Sequence, residues 1–211
     1  SSSTTITVGT ATTPYSAHPF GTVYMDERVQ YIFKKAELTA AGWTSSAPYL
    51  KSVSFYVSSV SPQSMSSFKI LMAHTSGTSF TNTSFLTGMN STTVFTGTVS
   101  LVQGWNTFTF STPFAYNGSS NVLMNICWDN SSFTVNSAVY ANSYSSYVAL
   151  YYRADLSGSG VCSKSTGTRS YYRPNTKFEF SSTLNISSPS SFSTQQNQSY
   201  RNQDISSSEE P

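Results

Sequence analysis

The feature that most constrains this chain is the run NVLMNICWD at residues 121–129, in which Val122, Leu123, Met124, Ile126, Cys127 and Trp128 follow one another with almost no polar break. A strand that is apolar at nearly every position belongs inside a sheet covered on both faces, or in the core of a sandwich. The segment before it, GWNTFTFSTPF, alternates instead: Trp105, Thr107 and Thr109 share one side, Asn106, Phe108 and Phe110 the other. That is the period of a strand with one buried face. Pro113 cannot donate to a central ladder and is expected to end it. Asn117-Gly118-Ser119-Ser120 supplies turn chemistry, so residues 104–130 read as one long hairpin.

The rest of the chain supplies material to cover that pair. Ile6 and Val8 alternate in an edge strand, and VYMDERVQYIF (residues 23–33) reads as two short β runs, a hairpin turning at Asp26-Glu27-Arg28. KAELTAA, followed by Gly42 at the C′ position, is the stretch with good helix formers. Residues 49–60 alternate, with Leu50, Ser52, Ser54, Tyr56 and Ser58 opposite Val53, Phe55 and Val57. Phe68, Ile70 and Met72 share a face of a further strand. Residues 75–90 form a long polar crossing that Phe80, Phe85 and Leu86 should pin to the core. Strands follow at 93–102 (Gly97 marking a bulge), 138–143, 147–153 and 176–180, the last with Phe178 and Phe180 inward. Short strands, turn residues and almost no helix predict an all-β fold, a two-sheet antiparallel β-sandwich of jelly-roll type over residues 1–181; an open barrel is the alternative.

Composition narrows the function classes. Ser and Thr make up roughly a third of the chain, and charged residues are only 9% where about 25% is usual. Hydroxyls and amides must then carry solubility, as in secreted and cell-surface β proteins. With a net charge of +2 and Lys34-Lys35 as the one adjacent basic pair, no basic stripe is available to replace the counterions of a nucleic acid. No apolar run is long enough for a membrane helix. Cys127 and Cys162 are the only cysteines; the simplest reading is one disulfide closing a long loop in an oxidising compartment, and the other is two free thiols. Residues 182–211 are rich in Ser, Gln and Asn and read as a tail or linker, a candidate for self-association by strand addition or wrapping.

Reactive chemistry is hard to place. Glu179 should point to solvent between Phe178 and Phe180, Asp26-Glu27 reads as turn chemistry, and His18 and His74 have no GxSxG partner. The two histidines also offer no repeated zinc-ligand spacing. Asp129, Asn130 and Asp155 are the candidates for a calcium site, although no DxDxDG pattern accompanies them. The six N-x-S/T sequons are near what this composition yields by chance. A glycan is the sharpest ligand hypothesis, because sugar rings offer apolar C–H faces to aromatic side chains and polar rims to amides and hydroxyls. Trp43, Trp105, Trp128, Tyr144, Tyr147, Tyr171 and Tyr172 are the aromatic candidates, with Trp128 better suited to the core. Arg169, Tyr171, Tyr172 and Arg173, with Tyr147, form the preferred surface cluster.

Three segments, DERVQYIFKKAELTAAG, GWNTFTFSTPFAYNGSSNVLMNICWDN and GVCSKSTGTRSYYRPNTKFEF, resemble in order a β-sandwich module that recurs in large secreted and cell-surface proteins of the Bacteroidota, adhesin-like and exported by the type IX route. The resemblance implies an accessory or adhesive module without established catalysis, and a Cys127–Cys162 bridge. The tail over residues 182–211 lies outside the shared pattern and does not resemble that group's C-terminal sorting domain. The expectation is a non-catalytic extracellular adhesion or structural module without a cofactor, one subunit or repeat of a larger surface assembly or filament. A carbohydrate-binding module attached to a secreted enzyme is the alternative.

Overall fold

The computed structural model describes residues 2–156, 160–184 and 189–195. The chain runs β1 (Ser3–Val8), β2 (Thr13–Tyr15), β3 (Asp26–Phe33), α1 (Lys35–Ala40), β4 (Tyr49–Ser59), β5 (Met65–Thr75), β6 (Thr92–Val99), β7 (Gly104–Ala115), β8 (Asn121–Asp129), β9 (Ala138–Ser143) and β10 (Ala149–Ala154). A single 3₁₀ turn (Val161–Ser163) precedes β11 (Thr168–Ser170), β12 (Tyr172–Pro174), β13 (Thr176–Ser181) and β14 (Ser191–Gln195). These strands form two antiparallel sheets packed face to face, a β-sandwich. The first has the order β1-β13-β4-β7-β14, with β9 joining β4 and carrying β2 and β12; the second has the order β11-β10-β3-β8-β5-β6.

Aromatic rings clamp the two layers. Tyr31 and Phe33 of β3, Met124 and Trp128 of β8 and Phe68 and Met72 of β5 meet Phe55, Phe108, Phe178 and Phe180 of the first sheet. Phe68 stacks on Phe108 at 5.1 Å, and Phe33 meets Phe178 edge-on at 4.9 Å. Both geometries suit the ring quadrupole. A second, smaller apolar cluster lies on the outer face of the second sheet: Ile32, Leu123, Ala73 and Leu150 are covered by Phe80 and Phe85 of the crossing between β5 and β6. The pinning of that crossing by Phe80, Phe85 and Leu86 is as the sequence suggests. Helix α1 also lies where expected, with Gly42 beyond its C-cap at φ +113°.

Four expectations are corrected. β7 and β8 are not a hairpin, because they lie in different sheets: β7 pairs with β4 and β14, and β8 pairs with β3 and β5. The apolar run of β8 needs a strand on each side, which one hairpin partner cannot provide, so residues 116–120 turn a corner between the layers. β7 also continues past Pro113 to Ala115, because the ladder with β4 is irregular between Leu50 and Ser52. That irregularity puts Leu50 in the core with Val53 and Phe55, across from the side to which simple alternation assigns it. Finally, Asp26 and Glu27 form no turn. They begin β3 and are fully buried.

The tail expected over 182–211 contributes β14, which extends the first sheet beyond β7 with Phe192 paired to Phe108 and its ring 5.0 Å away. Residues 185–188 and 196–211 lie outside the described residues.

Candidate functional site

The outer face of the second sheet is ordered by register. On β3, Arg28, Gln30 and Ile32 point outward because Val29, Tyr31 and Phe33 point into the sandwich. Across β8 and β5 they form three rows: Arg28–Cys127–Lys69, Gln30–Asn125–Leu71 and Ile32–Leu123–Ala73. The face thus grades from cationic, through amide, to aliphatic along the strands. Over the aliphatic end lies the crossing, fastened by Gln30, whose amide donates to the Leu86 carbonyl (3.0 Å) and accepts from the Leu86 N–H (2.8 Å). A bridge between Ser84 and Thr166 and a hydrogen bond from Arg169 to the Thr81 carbonyl secure the same loop from the other side.

Between this strap and β6 the face opens as a cleft of about 370 Å³. Its floor is Leu71, Ala73 and Leu123, its wall runs from Leu86 to Met89, and its polar end holds Arg28, Lys69, Asn125 and Cys162. The disulfide joins Cys127 to Cys162 with Cα atoms 5.5 Å apart, tying the 3₁₀ turn to β8 at that end. Arg28 is held in place: its Nε donates to Asn125 Oδ1 (2.9 Å), one terminal nitrogen donates to the Lys164 carbonyl, and its guanidinium lies 4.2 Å over the Phe85 ring. Burial lowers its pKa from the usual guanidinium value. Volume, a predominantly aliphatic floor and a few placed polar groups are what small-ligand sites offer.

The five residues expected to bind ligand divide into two groups. Tyr147, Tyr171 and Arg169 do come together: the tyrosine rings stack at 4.2 Å, and the Arg169 guanidinium lies 4.3 Å from the Tyr147 ring centre. Tyr171 is exposed, so this is an open aromatic shelf. Tyr172 and Arg173 leave it. Tyr172 stacks on Tyr15 at 4.3 Å. Arg173 is wholly buried, donates to both oxygens of Glu37 (2.6 and 3.1 Å), to the Ile32 carbonyl and to Tyr144, and covers Phe33. Burial alone would push the Glu37 carboxyl up, but the hydrogen bonds and charge of Arg173 outweigh it and hold the pKa below its ordinary value. Arg173 is not at the surface with Arg169, Tyr171 and Tyr147, because β12 turns it inward.

The remaining candidates serve the frame. Trp128 is core, as expected, its Nε1 donating to the Pro19 carbonyl. Trp43 packs on Tyr116, and Trp105 meets Tyr56 on the outer face of the first sheet, with the Lys177 ammonium 3.9 Å from its ring. Asn130 accepts from the Ser66 N–H and donates to the Ser64 carbonyl; Asp155 accepts from the Met25 N–H; Asp129 lies opposite Asp26 in the ladder. Among the described residues no group of three or more His, Cys, Asp or Glu is placed to hold a metal ion.

A buried polar cluster closes one end of the sandwich. His18 lies between the Tyr31 hydroxyl (2.6 Å) and the Ser170 hydroxyl (3.0 Å), so one ring nitrogen accepts while the other donates. Burial, with Arg153 adding to it, pushes the imidazole down to about 3. Glu27 accepts from the Gly21 N–H, and burial raises its carboxyl well above the usual range despite that bond and Arg153. These groups are sealed in and reach no cleft surface (His18 is 1% exposed, Glu27 0%).

Sequence reasoning missed the cleft. Arg28, Gln30, Lys69 and Asn125 come from three strands and make no local motif; the one available signal is their polarity inside otherwise apolar strands. No family model, curated protein or solved structure matches the chain.

Proposed function

We propose that this chain is a non-catalytic binding module of an exported surface protein, and that its work is adhesion: gripping a ligand in the cleft on the outer face of the second sheet. The supporting observation is the cleft's construction. Its floor is built on the adjacent strands β8 and β5, and it is fastened by the Gln30–Leu86 clip and the Cys127–Cys162 disulfide. Cation, amide and aliphatic side chains line it; Tyr15, His18, Glu27 and Tyr31, whose pKa values are strongly shifted by burial, lie outside it. A disulfide and a Ser/Thr-rich surface suit the oxidising space outside the cytoplasm.

The test is a glycan array probed with the folded chain and two variants. Leu71→Trp fills the cleft from its half-buried floor, and Tyr171→Ala removes the aromatic shelf. Binding should be lost with Leu71→Trp and kept with Tyr171→Ala. Loss with Tyr171→Ala alone moves the grip to the shelf and overturns the reading.

A further inference from the structure

We propose that the cleft is a carboxylate site: it takes the carboxylate of a small ligand between Arg28 and Lys69 and lays an apolar flank of that ligand along Leu71, Ala73 and Leu123. The inference rests on the binding-module reading and adds the class of ligand.

The register carries it first. Arg28 and Lys69 both pair with Cys127, from opposite sides. With strands about 4.8 Å apart, their Cα atoms stand about 10 Å apart across β8. Both side chains line the cleft beside the disulfide, where two cations at that spacing can flank one small anion. The hydrogen-bond inventory points the same way. The amide oxygen of Asn125 accepts from Arg28 Nε, which leaves the NH₂ of that amide as a donor. Gln30 is spent on the Leu86 backbone. The polar end therefore offers donors, and its complement is an acceptor.

Charge then selects among acceptors. Arg28 is only 8% exposed, and its contacts are a side-chain amide, a main-chain carbonyl and a ring face, all neutral. The Arg173–Glu37 ion pair lies apart from it, at the Ile32 carbonyl. A cation withdrawn from water without a counter-charge is costly, and an entering anion offsets that cost. A carboxylate matches a guanidinium in shape. The aliphatic floor beyond the amide row favours an anion carried on a carbon body over a bare inorganic one. Two kinds of molecule share that chemistry, an acidic sugar and a short-chain carboxylic acid.

The experiment titrates the full chain with glucuronate and hexanoate, and with glucose and hexan-1-ol as their uncharged counterparts, following the Arg28 Nε and Asn125 side-chain signals by ¹H–¹⁵N NMR. At least one acid should bind about tenfold tighter than its uncharged counterpart, and which acid binds better names the source. Lys69→Gln, at an exposed position, should weaken that acid about tenfold with an unchanged melting temperature. Equal binding of charged and uncharged probes, unchanged binding by Lys69→Gln, or no shift with either acid at millimolar concentration overturns the proposal. If the uncharged probes bind and Leu71→Trp abolishes them, the ligand class falls while the cleft reading stands. If an acid binds Leu71→Trp as well as the parent chain, both fall.

Discussion

At the scale of single residues, a few ionisable side chains are sealed in the core: Asp26, Glu27, Arg28, Arg173 and His18. His18 is the clearest. Its imidazole is neutral in the fold, with a pKa near 3 against an ordinary 6.5. A depressed base contributes stability that is fully present above its unfolded pKa and is lost as pH falls toward the folded one. Chemical denaturation should thus show unfolding free energy dropping by up to about 1.4 kcal/mol per pH unit below pH 6.5. His18→Gln, which keeps an amide donor and acceptor near Tyr31 and Ser170, should flatten that slope; an unchanged slope would place the titration elsewhere. Glu27 has the opposite sign: its raised pKa means that stability from the neutral carboxyl fades as pH rises through the folded value. Arg173 shows why residue type alone misleads. Beside two tyrosines it resembles a surface contact, yet it is the buried half of an ion pair. Glu37→Ala should cost about 3–5 kcal/mol in a denaturant melt, since it strands a buried guanidinium.

At the scale of elements, the decisive one is the corner between β7 and β8. Gly118 sits there at φ +73°, and a Cβ on it would stand 2.8 Å from the Trp43 ring. His74 accepts the Asn117 N–H beneath it. Gly118→Ala should lower stability by about 1–2 kcal/mol, from the positive φ and the shifted indole together, read as a lower denaturant midpoint with an unchanged m-value. Asn117-Gly118 is the same dipeptide that would make a hairpin, so turn chemistry alone could not separate a hairpin from a corner. The helix and the Phe80–Phe85 pins were legible, because caps and aromatic anchors are local. β14 was not: Ser191–Gln195 has one apolar residue, Phe192, and becomes a strand because β7 offers an open edge.

For the whole molecule, the disulfide joins what the sheets do not. Cys127 lies at the middle of the cationic row and Cys162 in a turn 35 residues later. In the chain-entropy model such a loop contributes about 4 kcal/mol. Reduction should therefore lower the melting temperature by several degrees and mobilise the polar end of the cleft, seen as faster amide exchange from Val161 to Lys164; unaltered exchange there would show that the bridge does not hold the cleft. What the amino-acid order determined unaided was the class of fold: alternation, an all-apolar strand and hydroxyl-rich turns leave two packed sheets as the way to bury the large aromatic and aliphatic surface of the strands. Pairing partners, and with them the cleft, were decided by the tertiary structure alone. Hydrophobic period says which face of a strand is inward but not which strand lies beside it. Arg28, Asn125 and Lys69 become neighbours through two ladders whose registers no local pattern records.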